Sequence, residues 1–354
     1  MPHLFEPLTL RGVTLRNRIG VSPMCMYSYS DGLSNEWQLL HLGARAVGGA
    51  GLIIAEATGV EARGRITPHD VGLWSDAHIE PLARVTHSIK QHGAVAGIQI
   101  AHAGRKASSQ RPWDGGKSIP ADAPGGWQVV GPSALPFSPE HQTPQALSID
   151  EIHAVQAAFA AAARRALAAG FEWLELHAAH GYLIHSFYSP LSNQRTDQYG
   201  GSFENRIRFL LETAQAVRAV WPDHLPLTAR ISATDWTDGG WTLEESVSLA
   251  RHLKAAGVDL IDCSSGGNVQ HAKVPVGPGY QVPLSETIRT LGDIPTATVG
   301  LITAPAQADE VIRNGRADVV LLGREMLRDP YWALHAAQTL KQPAPIPPQY
   351  LRGF

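Results

Sequence analysis

The apolar positions of this chain fall in short unbroken runs separated by longer stretches of helical spacing. Apolar or β-branched runs occur at residues 18–22, 51–56, 94–100, 171–177, 226–231, 258–263, 296–299 and 318–322. Most are continuously apolar instead of alternating, as expected of parallel strands covered on both faces. Helical patterns lie between them, at 37–47, 77–91, 149–169, 203–220, 243–256, 282–291, 305–313 and 331–340. Ser202 is placed to cap the fourth helix. Thr242 with Glu245 three residues on reads as a capping box, and Gly170, Gly257 and Gly315 stand where C-caps belong. Eight strand–helix units in succession predict an α/β fold, a closed (β/α)8 TIM barrel. An open doubly wound sheet is less favoured, because no Gly-rich dinucleotide fingerprint follows any strand.

Three segments stand outside the repeat. Residues 8–16 read as an N-terminal hairpin plugging the barrel floor. Residues 108–147, rich in Pro, Gly and Trp, separate the third strand from its helix, and residues 266–280 follow the sixth. Loops of this length in a compact domain are usually functional. The expectation is one domain over residues 1–354, with a capping insertion at 108–147 and a C-terminal tail at 342–354.

Composition narrows the class. The 354 residues are 44% apolar and 17% charged, enough for a large core and too apolar for disorder. A net charge of −3 and the lack of a dense Lys/Arg run argue against a nucleic-acid or anionic-membrane surface. Two cysteines, Cys25 and Cys263, cannot build a disulfide framework, so a reducing compartment is expected. The N-terminus carries no signal-peptide pattern, and Arg164 and Arg165 interrupt the Ala-rich stretch 157–169, which reads as a surface helix and not a membrane span. A cytoplasmic location follows.

In a barrel of this kind the chemistry sits at the C-terminal ends of the strands. Gly300 and Gly323, at the seventh and eighth ends, together with Arg324, read as a phosphate cradle; tight turns and a locally paired arginine are the simpler alternative. At the fourth end, His177 and His180 admit two functional readings. They are metal ligands, although no further ligands are evident, or they are donors converging on one substrate oxygen with Tyr182 as proton donor. Arg230 closes an apolar strand with no evident partner, and a flavin, whose reduced form is negative near N1, would supply one. Gln99 could bond the pyrimidine edge of the same ring. Cys25 could lie over it and tune its potential without acting as a nucleophile.

Together these residues resemble the Old Yellow Enzyme family of FMN-dependent ene-reductases. The most specific segments are Ser22-Pro23-Met24-Cys25-Met26-Tyr27, Gln99 to Lys106, Gly131-Pro132-Ser133-Ala134, His177 to Leu183, and above all Asn193 to Arg206. Cys25 and the His/His pair resemble the bacterial xenobiotic-reductase-like branch. The resemblance implies FMN contacts from Ser22, Pro23, Met24, Cys25, Ala57, Gln99, Arg230, Gly300, Gly323 and Arg324. It implies oxygen binding by His177 and His180, protonation by Tyr182, and a substrate-side wall from Tyr27. Lys106 matches a position near the site and receives no role. NADPH (or NADH) would give hydride to FMN and leave; an enone, enal or nitroalkene would then be reduced at the same site, in ping-pong fashion. Arg352 resembles a tail residue that reaches a neighbouring subunit's site, implying a homodimer or homotetramer, and Phe354 stands where Trp is common. A metal-dependent TIM-barrel hydrolase using His177/His180 and a non-catalytic flavin-binding barrel are the rivals. A version carrying an iron–sulfur cluster is excluded, because two distant cysteines cannot ligate one.

Overall fold

The computed structural model describes residues 2–353. Among these residues twelve strands occur: β1 (Leu8–Leu10), β2 (Val13–Leu15), β3 (Ile19–Val21), β4 (Leu52–Gly59), β5 (Val95–Ala101), β6 (Val130–Gly131), β7 (Gln145–Ala146), β8 (Trp173–Ala178), β9 (Leu227–Ser232), β10 (Leu260–Ser264), β11 (Thr296–Thr298) and β12 (Val319–Leu322). The helices are α1 (Glu36–Val47), α2 (Ile79–Gln91), α3 (Ile149–Ala168), α4 (Leu183–Tyr188), α5 (Phe203–Arg218), α6 (Leu243–Ala255), α7 (Val282–Gly292), α8 (Pro305–Arg313), α9 (Arg324–Arg328) and α10 (Trp332–Leu340). Eight strands close a parallel barrel in the order β10-β11-β12-β3-β4-β5-β8-β9. This is the (β/α)8 barrel that the eight apolar runs predict. Those strands are buried along their whole length, which is why they read as continuous apolar runs.

The hairpin β1–β2 pairs antiparallel, and Gly12 in its turn donates to His224 O at 2.8 Å. The anticipated caps are in place. Ser202 accepts from Asn205 N, and Thr242 and Glu245 bond reciprocally. Gly170, Gly257 and Gly315 have φ of 87°, 91° and 68°, the left-handed conformation that ends a helix. Ser148 and Glu151 form a further capping box at the start of α3. Residues 108–147 lie between β5 and α3 and contain the β6–β7 pair. No helix among the described residues is long and apolar enough to cross a membrane.

Candidate active site

The turn after β8 carries three of the predicted groups. His177 and His180 stand edge to face with ring centroids 5.2 Å apart, and Tyr182 is 4.9 Å from His177. Burial, reinforced by Arg230, holds both imidazoles well below their ordinary pKa, so they are neutral. His177 Nδ1 accepts from Ala179 N at 3.3 Å. Its proton therefore sits on Nε2, which has no partner among the described residues. His180 Nε2 lies 2.7 Å from Ser264 Oγ, so one of its nitrogens is engaged. Burial raises the Tyr182 hydroxyl well above its usual range, which keeps it protonated.

His180 adopts φ of 61° and Gly181 φ of 75°. The reversal is clamped from several sides. Ser232 Oγ accepts from His180 N, His185 Nδ1 accepts from Gly181 N, and Lys106 Nζ donates to His180 O at 2.8 Å and to Gly267 O at 3.1 Å. A Cβ on Gly181 would meet Gly267 O at 2.4 Å, so only glycine fits. Lys106, for which the sequence suggested no task, thus ties the turn after β8 to the turn after β10. Its ammonium also lies 5.2 Å from the Tyr182 ring.

The loop after β3 brings in Cys25 and Tyr27. Burial, with Asp70 and Glu56 nearby, pushes the Cys25 thiol well above its ordinary value, so it is not a thiolate. Tyr27, at φ of 49°, faces Cys25 and Tyr182 and meets Trp113 of the insertion edge-on at 5.9 Å. The loop is anchored by Glu56, whose carboxyl accepts from Met26 N at 2.7 Å and from Tyr29 Oη at 2.5 Å.

Arg230, Gly300, Gly323 and Arg324 line one cavity with Tyr280 and Gln281. Ser264, the partner of His180, lines it too, which connects this cavity to the His–Tyr cluster. Gly300 has φ of 127°, and a Cβ there would come within 2.9 Å of Tyr280 and 3.0 Å of Gln281 Nε2. A Cβ at Gly323 would meet only Met24 Sδ, at 3.8 Å. Arg324 is exposed and has no ion-pair partner among the described residues. Ser22 accepts from Arg230 Nη1 at 3.0 Å, and Gln99 donates to Glu175 at 2.8 Å, leaving its own carbonyl oxygen without a donor among the described residues. Pro23 precedes Met24 on the same loop, and Ala57 is buried on β4.

One premise from the sequence is corrected. Arg230 does have a partner: Asp262 Oδ2 on the neighbouring strand lies 3.2 Å from its Nε. The register of β9 against β10 sets Arg230 directly beside Asp262, an acid hidden inside an apolar run. Ser264, Tyr280, Gln281 and Arg328 also line the cavity without having been singled out. Of these, Arg328 had a signal, since it follows Arg324 by one helical turn. Among the described residues, no group of three or more His, Cys, Asp or Glu has the arrangement of a metal site, so the metal rival finds no third ligand beside the two imidazoles. Arg352 is exposed on the tail, with no side-chain bond to another of the described residues, and Phe354 lies outside them.

Comparison with known proteins agrees with this geometry. Residues 3–342 match the family described as NADH:flavin oxidoreductase / NADH oxidase. An NADPH dehydrogenase of Geobacillus thermodenitrificans is 50% identical over 353 residues, covering 99% of this chain and 98% of that protein. The solved structure of an old yellow enzyme homologue from Zymomonas mobilis is similar, with TM-score 0.80 and 28% identity over 97% of this chain and 94% of that one. A 2-naphthoyl-CoA reductase complex superimposes with TM-score 0.85 and 27% identity over 96% of this chain, which spans about half (52%) of that longer chain. The chain belongs to the NADH:flavin oxidoreductase / NADH oxidase family, the Old Yellow Enzyme group of flavin-dependent oxidoreductases.

Proposed function

We propose that this protein is an FMN-dependent NADPH dehydrogenase that reduces C=C bonds activated by a carbonyl or nitro group. The observation that carries the reading is the continuity of two half-sites. An anion cradle with an unpaired arginine runs through Arg230 and Ser264 to two neutral imidazoles and a protonated tyrosine.

The residues fit FMN. Gly300 and Gly323 leave their backbone open at the ends of β11 and β12, and Arg324 is free to meet a phosphate. Arg230 would face the ring's N1 edge and Gln99 its pyrimidine edge, with Ser22, Pro23, Met24, Cys25 and Ala57 on the side of β3 and β4. FMN, when bound, accepts hydride from NADPH and passes it to the alkene.

The chain's own groups then do the rest. His177 donates from Nε2 to the substrate oxygen. His180, engaged by Ser264 through Nε2, stands beside it as the second imidazole at the same oxygen. Neutral donors hold a developing oxyanion without needing to titrate. Tyr182, kept protonated by burial, delivers a proton to the α-carbon. Tyr27 and Trp113 wall the substrate side, so the 108–147 insertion acts as a cap. Arg352 would complete a neighbouring site in a homodimer or homotetramer, and two free cysteines suit a reducing, cytoplasmic setting.

An anaerobic visible spectrum tests the reading. A two-banded yellow spectrum should bleach with NADPH and return with cyclohexenone; a colourless protein that takes up no added FMN refutes it.

A further inference from the structure

Inside the barrel, beneath the cavity, lies a charged cluster that the proposed chemistry does not use. Glu175 on β8 is 1% exposed and Asp262 on β10 is 0% exposed; Arg230 on β9, at 7%, lies beside Asp262 and within electrostatic reach of Glu175. Gln99 of β5 donates to Glu175 Oε1 at 2.8 Å, and Thr228 of β9 also faces that carboxyl. Asp262 Oδ2 sits 3.2 Å from Arg230 Nε, but the two are not aligned as a hydrogen bond. Both Asp262 carboxylate oxygens and Arg230 Nε lack a hydrogen-bond partner among the described residues. Ser22 at the end of β3 takes one of the remaining guanidinium N–H groups.

Counting charge decides the protonation. Two carboxylates against one guanidinium would leave a net negative charge in a buried core, at a desolvation cost of several kcal/mol per ion. One proton removes it. Arg230 lies against Asp262, so Asp262 keeps its charge and the proton rests on Glu175, whose carboxyl burial and Asp262 both push upward. An ion pair this poorly bonded adds little to stability, since a buried pair repays its desolvation only with good geometry. What it changes is the field of Arg230 in the cavity above.

We propose that Asp262 is a tuning residue, which sets how much of the Arg230 charge reaches the flavin, while Glu175 remains neutral as its protonated partner. This rests on the FMN reading given above. A hydride brings two electrons and one proton, so the ring gains one negative charge, and a cation beside it favours reduction. Asp262 offsets part of that cation and holds the potential down. The groups facing the pair are Arg230 and Thr228 from β9, Gln99 from β5 and Ser22 from the end of β3. His177, two residues beyond Glu175, also feels Arg230.

The test measures the two-electron midpoint potential of FMN-loaded wild type, Asp262→Asn and Glu175→Gln at pH 7, by equilibration with reference dyes. Asp262→Asn should shift the equilibrium toward the reduced form at least tenfold, about 30 mV upward. Glu175→Gln should stay within threefold of wild type. A second comparison, wild type against Glu175→Gln at pH 6 and pH 9.5, remains available if Asp262→Asn does not fold. Ionising Glu175 adds a negative charge beneath Arg230, so wild type should fall below the variant by about tenfold at the higher pH. Equal potentials for wild type and Asp262→Asn, or a gap that does not open with pH, overturn the proposal while leaving the functional reading intact. A wild type that binds no FMN overturns the functional reading itself.

Discussion

Glu56 gives a prediction that can be worked through in numbers. Its carboxyl is buried at 4% exposure and receives Met26 N and Tyr29 Oη, with Gln38 Nε2 at 3.5 Å. Burial nevertheless outweighs these donors and raises its pKa from 4.5 to about 8. At neutral pH the group is therefore mostly a carboxylic acid, and its proton needs an acceptor. Gln38 Oε1 is buried without a donor, and turning that amide over would place the oxygen where the nitrogen now stands. The sign follows from the folded value exceeding the unfolded one. The native state holds the proton more tightly, so this contribution to stability is complete below pH 4.5 and is lost as pH rises through 8. Between pH 5 and pH 9 the loss is three units at about 1.4 kcal/mol each, roughly 4 kcal/mol. Glu56→Gln has the shape of the protonated acid and no proton to lose. With an unfolding entropy of about 2.1 cal/mol/K per residue, 4 kcal/mol corresponds to about 5 °C in Tm. Thermal melts of both FMN-loaded proteins at constant ionic strength should show the variant gaining about that much on wild type from pH 5 to pH 9. Other buried acids titrate in both proteins and cancel. Melting curves that shift in parallel, within about 1 °C, would refute the argument that burial controls this group.

His177→Ala should lower the rate of enone reduction by about 10²–10³ and weaken phenol binding with FMN content unchanged; loss of FMN with the side chain would show the assignment to be wrong. Tyr182→Phe should slow flavin reoxidation by an enone about 10²-fold or more while leaving reduction by NADPH at its wild-type rate, which stopped-flow spectroscopy resolves. An equal slowing of both half-reactions would remove Tyr182 from the proton-donor role. Arg324→Met should weaken FMN by about 1.5–3 kcal/mol, roughly 10- to 150-fold in Kd, because a charged hydrogen bond is lost. Unchanged FMN affinity would place the phosphate elsewhere.

The eight barrel strands were legible because parallel strands bury both faces, so each reads as an apolar run between polar turns. Two helices were not. All six residues of α4 are buried, so it has no polar face to set a period, and α9 spans only five residues, too few to register one. The strand-end rule led to His177, His180, Arg230, Gly300 and Arg324 because position along a strand is visible in sequence. What a residue faces across the barrel is not. Asp262 and Glu175 lie inside apolar runs; the register of β9 against β10 sets Asp262 beside Arg230, and Glu175, opposite Thr228, feels the same guanidinium.

The same limit explains the turn carrying His180. Its left-handed backbone would be an unfavourable conformation in isolation, since non-glycine residues rarely hold positive φ. It persists because groups from three other places in the chain over-determine it: Ser232 on β9, His185 on α4, and Lys106 from the turn after β5. Lys106 donates to this turn and to the turn after β10 at once, and the close contact of Gly181 with Gly267 leaves no room for either turn to shift alone. Local strain of this kind is maintained where the surroundings fix a functional group. The position of the His180 imidazole is thus a property of four strand ends, those of β5, β8, β9 and β10, acting together, and the Gly181–Gly267 contact makes the spacing between two of them part of the site.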